Sequence, residues 1–130
     1  MCNTGNYKVL RGGDRAQGSL LKGAAKCDKR DLVPGWYRFQ GDAGDRIPDK
    51  CVPDSYCGTY GPGWIIGNHP TVDEGVVTRK VCFSNYFHGC CRWSNYISVK
   101  NCGGYFVYEV KKPPYCNLRY CGNGGAGKLP

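Results

Sequence analysis

The sequence predicts a small, mainly β domain of short antiparallel strands and long loops, held together by five disulfides. Three observations predict this fold class. The 130-residue chain contains ten cysteines and twenty glycines, a composition typical of a disulfide-stabilised domain. Short segments of alternating apolar and polar residues lie between turn residues, as in antiparallel sheets. No segment shows the 3.6-residue apolar period of an amphipathic helix.

Two adjacent cysteines, Cys90 and Cys91, indicate how the disulfides are arranged. Neighbouring Cα atoms lie about 3.8 Å apart, whereas a relaxed disulfide needs about 4.4–6.8 Å. We therefore expect each of the two to bond to a different partner. Such an oxidised set predicts a secreted or extracellular protein. Structural zinc, the alternative, predicts cysteine pairs at C-x2-C spacing, which is absent from the set: Cys2, Cys27, Cys51, Cys57, Cys82, Cys90, Cys91, Cys102, Cys116 and Cys121.

The chain divides into three predicted regions. Residues 1–26 form a basic N-terminal arm that Cys2 ties to the core. In this arm "YKVL" predicts one short strand, and "LLKGAAKC" predicts at best a helical turn. Residues 27–122 form the cysteine-rich β domain, and residues 123–130 form a Gly-rich tail or linker.

Four segments of the β domain predict strands: "GWYRFQG", "VVTRKVCFS", "YISVKNC" and "GGYFVYEV". In the second, alternation places Val77, Val81 and Phe83 on one face of the strand. The opposite face carries Thr78, Lys80 and Ser84. We expect Trp36, Trp64 and Trp93 to fill the small core, although exposed aromatic faces also serve in sugar binding.

Catalytic and metal chemistry is not indicated. A Cys–His pair needs a free thiol beside a base, and we expect His69 and His88 to face only oxidised cysteines. Asp42, Asp45 and Asp49 resemble a calcium loop in composition, but the spacing of an EF-hand is missing. We therefore predict a solvated turn there, no cofactor, no metal and no enzymatic activity.

The net charge of +8 predicts attraction to polyanions. In an extracellular setting these are acidic glycans, acidic polymers or matrix components, and nucleic acid is not expected. The alternative is a basic surface that serves solubility alone. No apolar run is long enough to span a membrane. Because Met1 precedes Cys2 directly, no signal peptide is visible, and we expect the leader of an exported protein to have been removed.

Seven basic residues are the candidates for anion or glycan binding. Arginine holds sulfate and carboxylate through its planar donor fork, whereas lysine acts as a point charge. The candidates lie next to the arm and on the predicted strands: Lys26, Lys29, Arg30, Arg79, Lys80, Arg92 and Lys100.

The segment from Cys27 to Cys121 resembles a known family. It is similar to the cysteine-rich extracellular module of uromodulin and of the pancreatic zymogen-granule major glycoprotein. The matching runs are "GWYRFQGDAGDRIPDKCV", "PGWIIGNHPTVDEGVVTRKVC", "CCRWSNYISVKNCGGYFVYEV" and "PPYCNLRYC". All ten cysteines have counterparts, including Cys2 upstream of "NYKVL".

The resemblance implies a disulfide pairing and a non-enzymatic role. It would join Cys27 to Cys116, Cys51 to Cys90, Cys57 to Cys121, Cys82 to Cys91 and Cys2 to Cys102. In the family the module displays a glycan that bacterial fimbrial adhesins bind as a decoy.

The glycan-bearing turn of the family departs from its pattern in this chain. The family's W-L-N-G-T-H-P turn reads "WIIGNHP" here, over Trp64, Ile66, Asn68 and His69. Ile66 stands in place of the asparagine that would carry the glycan. Because no N-x-Ser/Thr sequon occurs anywhere in the chain, the decoy mechanism does not transfer.

Three functional hypotheses follow. The first is a secreted binding or structural module that engages glycans, other polyanions or matrix proteins in mucus, matrix or an adhesive layer. The second is a lectin for neutral sugars, which high salt would leave nearly unaffected, unlike polyanion binding. The third is a cationic defence protein.

Overall fold

The computed structural model describes residues 2–125 and shows a seven-stranded sheet. Its strand order is β1-β2-β6-β5-β4-β3-β7. The strands are β1 (Lys8–Leu10), β2 (Gly35–Phe39), β3 (Gly61–Ile65), β4 (Val76–Asn85), β5 (Gly89–Asn101), β6 (Phe106–Val110) and β7 (Leu118–Tyr120). The one α-helix of the described residues, α1, spans Asp28–Asp31. Single 3-10 turns occur at Thr4–Asn6, Gly13–Arg15, Gly41–Ala43 and Val72–Glu74.

The mainly β, disulfide-rich fold class is confirmed, and four of the six strand pairings are antiparallel. The two outer pairings, β1 with β2 and β3 with β7, are parallel. The strand predicted in "YKVL" is β1. Five residues of the predicted Gly-rich tail, 126–130, lie outside the described residues, so that boundary stays a prediction.

The long hairpin of β4 and β5 is the centre of the sheet, and it follows the predicted alternation. Val81, Phe83, Ile97 and Val99 lie on its inner face and belong to the buried core. The strands are ten and thirteen residues long, longer than the short strands expected, because no glycine or proline interrupts either run. We call the side that carries these core residues the inner face and the opposite side the outer face.

Tyr108 organises the part of the core where loops cover the inner face. Its ring packs edge-on against Phe39 with centroids 5.6 Å apart. Its hydroxyl accepts a hydrogen bond from the Ile47 N–H at 3.0 Å and lies 2.7 Å from Nε2 of His69. Burial raises the pKa of this hydroxyl far above its ordinary value. A buried polar group thus connects β6 to two covering loops.

Strands β3 and β7 were not predicted, and for β3 the sequence explains why. β3 reads GPGWI, which resembles a turn because glycine and proline are depleted in strands. A Cβ at Gly63 would lie 2.7 Å from the Phe83 ring and 3.0 Å from the Arg119 carbonyl oxygen. Close packing between β4 and β7 therefore requires glycine there.

The helical turn predicted in "LLKGAAKC" is wrong. Residues in this segment instead pair with a neighbouring loop, since the Leu21 N–H donates to the Ser55 carbonyl and the Lys26 N–H to the Gly58 carbonyl. These two N–H groups therefore bond to a distant loop and not to carbonyls of their own segment. The helix begins only after Cys27, at Asp28.

Asp28 anchors the basic arm to β7. Its carboxylate accepts two hydrogen bonds from the Arg15 guanidinium, at 2.8 and 3.1 Å, and one from the Tyr120 N–H at 2.9 Å. Arg15 and Asp28 are 6% and 2% exposed. Breaking such a buried pair is costly because it leaves an uncompensated charge.

The five predicted disulfides are present and leave no free cysteine in the described chain. Cys90 and Cys91 bond to different partners. The pairs match those implied by the resemblance: Cys2–Cys102, Cys27–Cys116, Cys51–Cys90, Cys57–Cys121 and Cys82–Cys91.

The three tryptophans lie at the rims of the core rather than at its centre. Trp93 packs against the main core, and Trp64 packs against a second buried cluster around Val52. Trp36 is half-buried opposite Glu109. Partial exposure leaves these rings able to contact ligands as well as to support the fold.

Candidate functional site

The strand-borne basic candidates do not form one group. Lys80 pairs with Tyr96 across the hairpin, and Lys100 lies on the same outer face, opposite Val76. Arg79 pairs with Ile97 and therefore lies on the inner side. Its guanidinium donates to the carbonyls of Asn68 and Thr78 and lies 3.9 Å from Glu74. Arg79 is thus occupied by protein groups, whereas Lys80 and Lys100 face outward.

The candidates near α1 also separate. Arg30 pairs with the neighbouring Asp31 at 2.9 and 3.0 Å, and this contact lowers the pKa of the Asp31 carboxyl. Lys26 is exposed and lines a cavity together with Arg15, Asp28 and Arg119. Of the three candidates near α1, only Lys29 lies on the side of the molecule that also carries a strand candidate, Arg92.

Lys29 and Arg92 lie at the two ends of a pair of aromatic rings. The Lys29 ammonium is 5.9 Å from the centre of the Tyr115 ring. Tyr115 packs against Trp93 at 5.8 Å, with the ring planes inclined by 52°. The Arg92 guanidinium lies 5.1 Å from the Trp93 ring. We call Lys29, Arg92, Trp93 and Tyr115, with Lys112, the basic aromatic patch.

The covalent frame explains why residues so distant in sequence meet. Cys27, directly before α1, is bonded to Cys116, directly after Tyr115. Two further bonds fix the same contact: the Lys29 ammonium donates to the Pro114 carbonyl at 3.2 Å, and the Lys112 ammonium donates to the Lys29 carbonyl at 2.9 Å. The helix and the loop after β6 are therefore held together against the first half of β5, where Trp93 lies.

The patch carries positive charge that nearby carboxylates do not neutralise. Lys29, Arg92 and Lys112 are exposed, and none of them forms an ion pair with a carboxylate within residues 2–125. The Tyr115 side of the patch is open, since this residue is 54% exposed. Trp93, half-buried, supports it from the core.

Comparison with known proteins gives the family. Residues 37–122 match the family model of the uromodulin-like cysteine-rich domain. The chain belongs to the uromodulin-like domain family. Similar relatives are uromodulin of Mus musculus, 48% identical over 88 residues, and the pancreatic secretory granule membrane major glycoproteins of Rattus norvegicus and Canis lupus familiaris, 39% and 43% identical over 120 and 117 residues.

This uromodulin-like chain covers only a small part of these relatives. The alignments span 67% of this chain and 14% of mouse uromodulin, and 89% of this chain and 22% of each glycoprotein. The family and the five disulfides together make this a secreted or extracellular module with a structural or binding role. Within residues 2–125, no helix has the length and apolar character of a membrane span.

The "WIIGNHP" turn of this uromodulin-like domain is fixed by contacts of two of its side chains. Trp64 donates its indole N–H to the Cys90 carbonyl at 2.8 Å, and His69 packs against Phe106 with ring centres 4.6 Å apart. Burial lowers the pKa of His69 to about 4, with the nearby Arg46 guanidinium adding to the effect. Ile66 and Asn68 are exposed. Trp64 and His69 therefore support the fold, and the exposed positions carry no glycan acceptor.

Of the three aspartates of the predicted solvated turn, only Asp45 has side-chain hydrogen bonds within the described residues. Asp45 accepts a hydrogen bond from Arg46 at 3.2 Å and from the Asn123 amide at 3.0 Å, and these contacts lower the pKa of Asp45. Asp42 and Asp49 are exposed. No set of three His, Cys, Asp or Glu side chains in the described chain is arranged to hold a metal ion.

Sequence reasoning missed Lys112 and Tyr115 and favoured a core position for Trp93 over a place in a sugar-binding surface. Tyr115 lies in "KKPPYC", where the prolines exclude a central strand. The one sequence feature that could have placed Tyr115 was the Cys27–Cys116 pair implied by the family. This pair predicts that Tyr115 lies close to Lys29, but it does not predict the contact between Tyr115 and Trp93.

Proposed function

We propose that this uromodulin-like domain is a non-enzymatic extracellular module that binds acidic glycans at the basic aromatic patch. The observation that carries the proposal is the tilted contact between the Tyr115 and Trp93 rings, with a cation near each ring, Lys29 or Arg92, that pairs with no carboxylate of residues 2–125. Sugar rings present apolar C–H faces, which pack on aromatic rings that offer large, rigid contact area. Sulfate or carboxylate groups on the same sugars would meet the cations.

The two cations suit different parts of an acidic glycan. Arg92 can hold a sulfate or carboxylate through two parallel hydrogen bonds. Lys29 has three N–H donors, of which one is directed at the Pro114 carbonyl, so two remain for a ligand. Because both cations are already close to the aromatic rings, little ordering is needed on binding.

A non-enzymatic role is supported by the state of the usual catalytic groups. Every cysteine is in a disulfide, so none supplies a thiolate nucleophile. His69 is held against Tyr108 and Phe106. Acidic polymers and matrix glycoproteins of mucus or an adhesive layer are the partners we propose.

A lectin for neutral sugars is the second candidate function, because Tyr115 and Trp93 alone could stack on an uncharged ring. A glycan array at low and near-physiological salt separates the two. We expect sulfated or sialylated glycans to be retained and their signal to fall as salt rises, since salt screens exposed charges. Selective, salt-independent binding of neutral glycans would contradict the proposal and favour the second candidate.

A further inference from the structure

The tip of the β4–β5 hairpin carries an exposed aromatic pair that neither the fold nor the proposed function uses. Tyr86 and Phe87 are 74% and 84% exposed, the highest values among the large hydrophobic side chains that the structure describes as exposed. Their rings pack edge-on with centres 5.0 Å apart. Exposed apolar groups that are clustered mark an interaction site more often than scattered ones do.

This tip, residues 85–89, is braced by hydrogen bonds within the turn. The Asn85 side-chain oxygen accepts a hydrogen bond from the Phe87 N–H at 3.0 Å and lies 2.9 Å from Nδ1 of His88. The His88 N–H donates to the Asn85 carbonyl at 3.3 Å. Gly89 completes the turn at a φ of 76°, a conformation that favours glycine.

Two disulfides fix the base of the tip. Cys90 is bonded to Cys51, and Cys91 is bonded across the hairpin to Cys82. The aromatic pair is therefore presented by a rigid support, so its exposure does not reflect an unpaired loop. The Phe87 and His88 N–H groups are already bonded to Asn85. Moving the tip out of water therefore leaves neither of these two groups without a hydrogen-bond partner.

The positive charge of the β4–β5 hairpin indicates which kind of partner the tip would bind. The 34 residues from Gly75 to Tyr108 contain no Asp or Glu, whereas they contain Arg79, Lys80, Arg92 and Lys100. The aromatic tip thus extends from a purely basic element. Because the hairpin itself carries no carboxylate, its outward basic residues Lys80, Arg92 and Lys100 favour a negatively charged surface as the partner.

We propose that the hairpin tip docks on an anionic phospholipid surface, with Phe87 and Tyr86 entering the interfacial layer. Aromatic side chains favour this layer, where the ring is buried and a tyrosine hydroxyl stays at headgroup level. Basic residues near the surface strengthen the attachment through the negative lipid potential. The proposal is independent of glycan binding at the basic aromatic patch.

The test is co-sedimentation of the protein with vesicles of neutral phosphatidylcholine and with vesicles that contain about one third phosphatidylserine, at near-physiological salt. We expect binding to the anionic vesicles and weaker binding to the neutral ones. Phe87→Ser should weaken anionic-vesicle binding roughly tenfold, the effect of losing one buried aromatic ring. Phe87→Trp should retain binding, and the emission of the added indole should shift to shorter wavelength with vesicles.

The matched control is Tyr96→Ser, which removes an aromatic side chain that is 61% exposed on β5 but away from the tip. It should change vesicle binding by less than about twofold, because surface substitutions away from packed or bonded features have small effects. Equal losses for Phe87→Ser and Tyr96→Ser would overturn the tip as the docking element. Absence of binding by the unmodified protein to anionic vesicles would overturn the proposal altogether, whatever the glycan result.

Discussion

The β4–β5 hairpin and the α1 side of the molecule hold their residues in place by different means. The hairpin is a regular antiparallel pair with alternating burial, and its end is fixed by two disulfides. The α1 side consists of a four-residue helix and a proline-containing loop. It depends on one disulfide, a buried ion pair and side-chain bonds to carbonyls.

This difference shows where function can be added to the fold. A regular hairpin positions its exposed side chains by strand register alone. The basic aromatic patch instead takes Lys29 from α1, Tyr115 from a loop and Trp93 from β5, so its geometry depends on cross-links between distant segments. We therefore expect the two regions to respond differently to loss of a disulfide.

The largest effect should come from removing Cys27–Cys116, by changing both residues to alanine. This bridge closes a separation of 89 residues, compared with 9 for Cys82–Cys91. The loop-entropy account gives a loss of about 4–5 kcal/mol for the first and about 2–3 kcal/mol for the second. Urea unfolding of the two double variants measures both.

The same pair of variants also separates the two regions in function. Loss of Cys27–Cys116 should abolish retention on acidic glycans, because α1 and the loop that carries Tyr115 are no longer joined. Loss of Cys82–Cys91 should leave that retention largely intact wherever the variant is folded. The contradicting result would be a greater loss of stability or of glycan retention on removing Cys82–Cys91 than on removing Cys27–Cys116. It would show that the α1 side does not depend on its disulfide more than the hairpin does.

A smaller effect is expected in the pH dependence of stability. The pKa of His69 is about 4 in the folded state, below its ordinary value of 6.5. Between these values the unfolded chain binds a proton at this site that the folded chain does not, so stability should fall as pH decreases from 6.5 to about 4. Above this window the contribution of His69 is constant.

The variant His69→Asn isolates this effect, because it keeps a polar side chain beside Tyr108 but does not titrate. The free energy of unfolding of the parent minus that of the variant, measured by urea titration across the window, should decline toward acid. A difference that is constant with pH would show that His69 is not held neutral by burial.

Much of the hairpin could be predicted from the sequence, and little of the α1 side could. Val81, Phe83, Ile97 and Val99 recur with the two-residue period of a strand, and the adjacent Cys90 and Cys91 indicate separate partners by geometry alone. β3 escaped prediction because Gly61, Pro62 and Gly63 have low strand propensity. The two glycines are required by close packing on neighbouring strands.

Of the basic aromatic patch, only the charged residues Lys29 and Arg92 could be predicted from the sequence. Lys29 and Arg92 were among the expected anion-binding residues. The sequence around Tyr115, in contrast, does not indicate that its ring packs against Trp93. Arg79 and Lys80 were both candidates, but they lie on opposite faces of β4, since adjacent residues of a strand point to opposite sides. Tertiary cross-links decide which basic residues meet, and these links are not visible in composition.

The most direct test of the account is the salt concentration at which two matched double variants elute from a heparin column. Lys29→Ser with Arg92→Ser removes both cations that flank the patch, whereas Lys80→Ser with Lys100→Ser removes the same charge from the outer face. We expect the first pair to elute at clearly lower salt, with roughly tenfold weaker binding, because charge-assisted hydrogen bonds are lost, and the second pair to elute near the unmodified protein. Elution of both variants at the same salt would contradict the account, because net charge alone would then explain the binding.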